Sequence, residues 1–186
     1  ILIDKTFEIE KKLLKKEKIL MSEKIINFLC NILVRKKIQN QFGGNLQAFV
    51  SGGGALDKKI GEFLNAIGLP TLQGYGLTEA SPVVSCNLPD LVKVDTVGPP
   101  FRTNKVKITE DGEILIKGEN VMLGYWNNIE ETNKVIKNGW LHTGDIGKID
   151  LNGFLKITDR KKDIIVNLGG DNIAPSKIEN ILCLNE

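Results

Sequence analysis

Apolar and polar positions follow two rhythms along this chain, and the change falls a little past its middle. Over residues 5–40, apolar side chains stand at Leu14, Met21, Ile25, Phe28, Leu29, Ile32 and Leu33. These spacings of three, four and seven predict one or two amphipathic helices, with Ser22 placed to cap the second. Leu46 to Val50 is a short apolar run that reads as a buried strand. Ser51-Gly52-Gly53-Gly54 then turns the chain into a helical pattern from about Asp57 to Ala66, and Gly68 to Gln73 predicts a second short strand. Strand, glycine turn and helix in that order form an α/β arrangement, which gathers backbone N–H groups and a helix N-terminus at one sheet edge.

After Pro99-Pro100 the period drops to two. Val106 and Ile108 with Ile114 and Ile116 flank Glu110-Asp111-Gly112, and Ile146–Ile149 with Phe154–Ile157 flank Asn152-Gly153. Two hairpins are expected, and with them a β-rich part from 97 to 158. Between them lie Val121-Met122-Leu123-Gly124-Tyr125-Trp126 and a short helix near Glu130 to Ile136, where Tyr125 and Trp126 read as packing anchors. The charged run Asp159-Arg160-Lys161-Lys162-Asp163 reads as an exposed connector. Ile164 to Asn167 reads as a strand, Gly169-Gly170 as a turn, and Pro175 as the first residue of a helix continued by Ile178, Ile181 and Leu182. The expected class is α/β: a partial α/β sheet over 1–96, a β-rich hairpin part over 97–158, and from 159 to 186 a hinge and the start of a small α+β domain. The first residue is Ile and the last helix has barely begun at Glu186, which reads as a piece of a longer protein.

Composition narrows this picture in three ways. At 186 residues and 41% hydrophobic content the chain can build a core, and a net charge of +2 gives no basic surplus for nucleic acid. Cys30, Cys86 and Cys183 stand far apart, which excludes a Cys-x-x-Cys zinc site or a disulfide framework and suits a reduced, cytoplasmic protein. Residues 1–40 hold ten Lys or Arg against five Asp or Glu. That arm is either a solvated lysine face with its apolar side packed inward or, over residues 5–40, a peripheral membrane contact; charge runs are usually solvent faces, which favours the first.

The candidate chemistry centres on Gln73-Gly74-Tyr75-Gly76-Leu77-Thr78-Glu79-Ala80, read as loop. Tyr75 offers a flat face to a base, Gly74 and Gly76 permit close backbone approach to a ligand, Thr78 can donate to a phosphate oxygen, and Glu79 is a hard oxygen ligand for Mg²⁺. Downstream, Trp140-Leu141-His142-Thr143-Gly144-Asp145 places a carboxylate after a turn at an expected strand start, where it could accept both hydroxyls of a ribose. His142 is the sole histidine, has no nucleophile or acid motif beside it, and reads as structural.

Four segments in this order (Ser51 to Leu56, Gln73 to Ala80, Trp140 to Asp145, and Asp159 to Asp163 followed by Gly169-Gly170) resemble the adenylate-forming superfamily. The wording from Tyr75 to Asn87 is most similar to its long-chain fatty acid–CoA ligase branch. The resemblance implies that Gly53, Gly54, Ala55 and Tyr75 border an adenine, with Gly74 and Gly76 in the same nucleotide-binding set. It further implies that Thr78 contacts phosphate, Glu79 holds Mg²⁺, Asp145 holds the ribose and Arg160 reaches the nucleotide. Lys162 matches a hinge pivot that acts in catalysis with Thr78 and Glu79, Gly169-Gly170 faces a thiol channel, and Ser81 to Asn87 matches a segment lining an acyl pocket. The implied reaction joins ATP and a fatty acid into an acyl-adenylate and passes the acyl group to coenzyme A. An acyl carrier protein as acceptor, and a non-catalytic nucleotide-binding scaffold, are the alternatives. A phosphate-cradling loop and a late lysine, both part of the family pattern, are absent from these 186 residues, so the piece is expected to be inactive alone. Tyr75, Thr78, Glu79 and Asp145 are expected to converge on one cleft.

Overall fold

The computed structural model describes residues 2–14, 17–163, 165, 166, 172, 173, 175, 178 and 182. The chain divides into two units, Ile1–Gln73 with Leu88–Val94, and Gly74–Asn87 with Asp95–Glu186.

The first unit opens with helices α1 (Leu2–Leu14) and α2 (Met21–Cys30); α2 runs through one π-helical turn, Asn31–Arg35, into α3 (Lys36–Gln41). Ser22 does not cap α2. The cap is Leu20, whose N–H donates to the Glu23 carboxylate at 2.9 Å, so the reach-back carboxylate of a capping box serves without a hydroxyl partner. A further helix, α4 (Lys58–Ala66), begins where expected, because Asp57 accepts from the N–H groups of Lys59 and Ile60. The Arg35 guanidinium links three elements, donating to Ala66 O at 2.9 Å, Asn27 Oδ1 at 2.8 Å and Glu10 Oε2 at 3.0 Å.

That anchor decides which face of α2 goes inside. Cys30 and Val34 are buried beside Arg35, whereas the apolar stripe of Met21, Ile25, Phe28, Leu29, Ile32 and Leu33 is 41–73% exposed. The expected inward packing of this stripe is therefore corrected: within these 186 residues the face bearing Cys30, Val34 and Arg35 packs inward and the stripe does not. The first strand is likewise not buried. β1 (Phe49–Ser51) is an edge strand, parallel to β2 (Thr71–Gly76) through Phe49↔Thr71 and Ser51↔Gln73, and Val50 is 70% exposed.

The second unit takes up the latter half of β2, which pairs antiparallel with β3 (Val83–Cys86) through Gly74↔Cys86 and Tyr75↔Ser85. Half of the octet read as loop is thus strand; only after Gly76 does the chain leave it, passing through a 3-10 turn at Thr78–Ala80. The main sheet has the order β4 (Asn104–Ile108), β5 (Glu113–Gly118), β7 (Trp140–Ile149), β6 (Ile136–Lys137), with β8 (Leu155–Arg160) also on β7, and α5 (Ile129–Val135) leads into β6. Both expected hairpins form. Ile108 faces Ile114 across a turn with Gly112 at φ +85°, and Ile149 faces Leu155 across one with Gly153 at φ +82°. Ala80, Val84, Ile114, Ile116, Leu141 and Leu155 form the core of this unit, each 1% exposed or less. A last pair, β9 (Ile165–Val166) and β10 (Asn172–Ile173), is antiparallel, and Pro175, Ile178 and Leu182 are helical; Gly169-Gly170, Ile181 and Cys183 lie outside the described residues. The α/β class expected from the patterning holds. Among the described residues no helix is long and apolar enough to cross a membrane.

Candidate functional site

The sheet makes an excursion where the chemistry sits. Between β5 and β7, Glu113 pairs with Ile146 but Leu115 pairs with His142, so β7 carries two extra residues in a bulge around Thr143, Gly144 and Asp145. Gly144 takes φ +70°, a left-handed conformation that glycine adopts without strain. Asp145 is therefore inside a ten-residue strand rather than at its start. The ladder bonds interrupted by the bulge are replaced by side chains: Thr143 Oγ1 donates to Ile114 O at 2.8 Å and accepts from Asp145 N at 3.0 Å, and Gly144 N donates to Glu113 Oε1 at 3.1 Å.

Asp145 is 5% exposed, and both its oxygens are engaged. Its direct partner on β8 is Arg160, whose Nε donates to Oδ1 at 3.0 Å, while the Tyr75 hydroxyl donates to Oδ2 at 2.6 Å. Burial pushes the Tyr75 hydroxyl far above its ordinary range, and the Asp145 carboxylate pushes it further, so it stays a proton donor at any physiological pH. The ring is held from two ends, by its strand and by its hydroxyl.

A few residues on, Glu79 and Thr78 lie on the 3-10 turn, Thr78 exposed and Glu79 partly so. Glu79 Oε1 accepts from the Tyr125 hydroxyl at 2.8 Å, and this hydrogen bond raises the Tyr125 pKa above its ordinary value. Tyr125 was read as a packing anchor; its hydroxyl instead engages a candidate metal ligand, a pairing over 46 residues for which sequence spacing carries no signal. Gly74 and Gly76 also have a nearer reason than a ligand. A Cβ on Gly76 would stand 1.8 Å from Pro82 O, and one on Gly74 would stand 3.3 Å from Ser85 O, so both admit the chain's own return strand.

The charged run 159–163 continues from the strand that pairs with Asp145. Arg160 ends β8, and Lys161 and Lys162 follow in a 3-10 turn, Lys162 exposed. Lys161 Nζ reaches Asp111 Oδ2 at 2.7 Å and Glu113 Oε2 at 3.2 Å on the β4–β5 hairpin. His142 Nδ1 lies 3.4 Å from Glu113 Oε2, a neighbour to this network rather than to Asp145. Burial works to raise the Glu113 pKa, but donors from Lys161, Gly144 and His142 outweigh it and hold it below the ordinary value. The hydrogen bond from Lys161, with one from Thr109, lowers Asp111 to about 2. A folded value beneath the unfolded one gives stability above pH 3.8 that is lost as pH falls toward 2. Carboxyl-carbon NMR titration is expected to find Asp111 ionising near 2, and Lys161→Gln to return it toward 3.8.

Among the predicted site residues, then, Tyr75, Asp145 and Arg160 form one cluster and Thr78 and Glu79 sit together on the adjoining turn, all within the second unit. Gly53, Gly54 and Ala55 lie in the exposed β1–α4 turn of the first unit, with Gly53 at φ +80°. A shallow recess along Lys107 to Asp111 includes none of these side chains. Among the described residues no three His, Cys, Asp or Glu side chains cluster to hold a metal by themselves. Glu79 alone suits a hard cation that arrives with phosphate oxygens, since Mg²⁺ commonly takes one or two carboxylates and keeps several waters.

Residues 11–126 match the family of AMP-binding enzymes. A long-chain-fatty-acid–CoA ligase of Mycobacterium bovis is 44% identical over 150 residues, covering 81% of this chain and 25% of that protein. A 2-succinylbenzoate–CoA ligase of Bacillus mycoides is 36% identical over 169 residues, covering 85% of this chain and 35% of that one. Among solved structures, O-succinylbenzoate coenzyme A synthetase of Bacillus subtilis in complex with ATP and magnesium ion aligns with a TM-score of 0.66 at 31% identity, covering 79% of this chain and 34% of its own. The chain spans about a quarter to a third of the length of these relatives.

Proposed function

The chain belongs to the AMP-binding enzyme family, and from that premise we propose that the full-length protein is an ATP-dependent acid–thiol ligase acting on fatty acids. The observation that carries the reading is the shared buried carboxylate: Tyr75 and Arg160 both donate to Asp145, on the unit that also bears Thr78 and Glu79. Each Asp145 oxygen accepts one hydrogen bond and retains acceptor capacity, which suits two ribose hydroxyls. Tyr75, tethered through its hydroxyl, supplies a stacking face whose ordering is complete before the base arrives.

In this reading a fatty acid carboxylate oxygen attacks the α-phosphorus of ATP, the bond to the bridging oxygen breaks, and pyrophosphate leaves. A thiol sulfur then attacks the acyl carbonyl and AMP departs. No protein nucleophile takes part. Tyr75, Asp145 and Arg160 orient the nucleotide, and Thr78 donates to a phosphate oxygen. Glu79 would hold Mg²⁺, which when bound neutralises charge on the phosphates. Lys162 is the pivot of the hinge at 159, after which a small domain begins. Coenzyme A is the thiol we favour over an acyl carrier protein, because the relatives cited are CoA ligases by name. A fatty acid rather than 2-succinylbenzoate is supported by the higher identity to the former ligase, 44% against 36%.

The test is pyrophosphate release by the full-length protein with palmitate or 2-succinylbenzoate as the acid, followed by thioester formation with coenzyme A or carrier protein. Turnover restricted to palmitate and coenzyme A is expected. Base–aromatic stacking contributes roughly 1–3 kcal/mol, so Tyr75→Ala should weaken ATP binding about 5- to 150-fold by calorimetry. Binding within twofold of the parent would remove Tyr75 from the nucleotide site.

A further inference from the structure

The segment Asn120–Tyr125 grips the turn that carries Glu79. Asn120 Nδ2 donates to Ala80 O at 2.8 Å, Met122 N donates to Glu79 O at 2.8 Å, and the Tyr125 hydroxyl donates to Glu79 Oε1 at 2.8 Å. One main-chain bond and one side-chain bond thus converge on the same glutamate. Tyr125 is itself fixed from behind. Its N–H donates to Thr132 Oγ1 at 2.9 Å, the Thr132 hydroxyl donates to Asn128 O at 2.8 Å, and Thr132 is 8% exposed on α5. Gly124 makes this approach close, since a Cβ there would stand 2.8 Å from Thr132 Cγ2.

We propose that Tyr125 is the positioning residue for Glu79, holding one carboxylate oxygen so that the other faces a divalent cation delivered with a nucleoside triphosphate. The proposal rests on the reading of Glu79 as the cation ligand. A free glutamate side chain samples many rotamers, and ordering it on ligand binding subtracts from affinity. A hydroxyl anchored through α5 removes that cost beforehand, and it touches neither the nucleotide nor the acid. A purely packing role for Tyr125 would change stability and leave cation affinity where it was.

The experiment uses the full-length protein with a non-hydrolysable ATP analogue and Mn²⁺ as the probe, bound cation being read by electron paramagnetic resonance. Tyr125→Phe keeps the ring and is expected to weaken Mn²⁺ about three- to tenfold, with analogue affinity in the absence of cation unchanged. Glu79→Gln should weaken Mn²⁺ at least as much, and adding Tyr125→Phe to it should weaken Mn²⁺ no further, because the two act through one bond. Thr132→Val, which loosens Tyr125 from behind, should shift Mn²⁺ in the same direction by a smaller factor and serves if Tyr125→Phe does not fold. Weakening by Glu79→Gln without any by Tyr125→Phe, or by Thr132→Val in its place, overturns the proposal. Unchanged Mn²⁺ affinity in Glu79→Gln overturns instead the assignment of Glu79 beneath it.

Discussion

Alanine at Gly76 is expected to destabilise the protein by about 4 kcal/mol, because the new Cβ would lie 1.8 Å from Pro82 O, 2.6 Å from Pro82 C and 2.9 Å from Val83 Cα. These are backbone atoms of the return into β3, so relief requires moving the strand pair rather than rotating a side chain. For a chain of this size the thermal midpoint should fall by roughly 8–16 °C. Gly54→Ala is the contrast: nothing lies within 4 Å of its Cβ position, and the change should stay within about 0.5 kcal/mol. The sequence reads Gly76 as admitting a ligand, and the family resemblance sets Gly54 beside an adenine. A Gly76→Ala midpoint within 2 °C of the parent would mean that the return strand is not packed this closely.

The second large effect is expected at Asp145. Asp145→Ala leaves the Tyr75 hydroxyl, in a half-buried site, without its acceptor, a loss of about 1.5–3 kcal/mol for a hydrogen bond to a charged group. The pair with Arg160 adds at most about 1 kcal/mol, since that guanidinium is 57% exposed and screened by solvent. A total near 2–4 kcal/mol and a midpoint lower by roughly 4–16 °C follow. In a double-mutant cycle, Tyr75→Phe and Asp145→Ala should show a coupling of about 1–3 kcal/mol by urea denaturation. Additive losses would indicate that Tyr75 has its hydroxyl partner elsewhere.

What was legible in the sequence and what was not divides along the range of the interaction. Asp-Gly and Asn-Gly between alternating apolar residues located both hairpins, because a short turn closed by a positive-φ glycine and a period of two are local facts. Asp57 marked the start of α4 for the same reason. The apolar face of α2 was legible, but its orientation was not. That depends on Arg35 reaching Glu10, Asn27 and Ala66, contacts that span up to 31 residues. Among the candidate site residues, Tyr75, Thr78, Glu79 and Asp145 stand out by type and spacing, and Arg160 by the family resemblance alone. Their pairing was another matter. That Asp145 would meet Arg160 follows from the β7–β8 register, and that Tyr125 would meet Glu79 follows from a segment with no regular structure. The bulge left only Gly144 as a trace, and a lone glycine beside a threonine reads equally well as a turn before a strand.

The bulge has a consequence for how length can change in this sheet. Its surplus over β5 is two residues, an even number, so Leu141 on one side and Gly147 on the other keep the same facing, and both are buried. Removing Gly144 and Asp145 together would shorten the bulge and take the carboxylate with it, yet leave the inside and outside of β7 where they are. Removing one would invert every side chain beyond the cut, sending Lys148 inward and Gly147 out. Parity thus lets chain length at the bulge vary by pairs without exchanging the core-facing and solvent-facing side chains of β7.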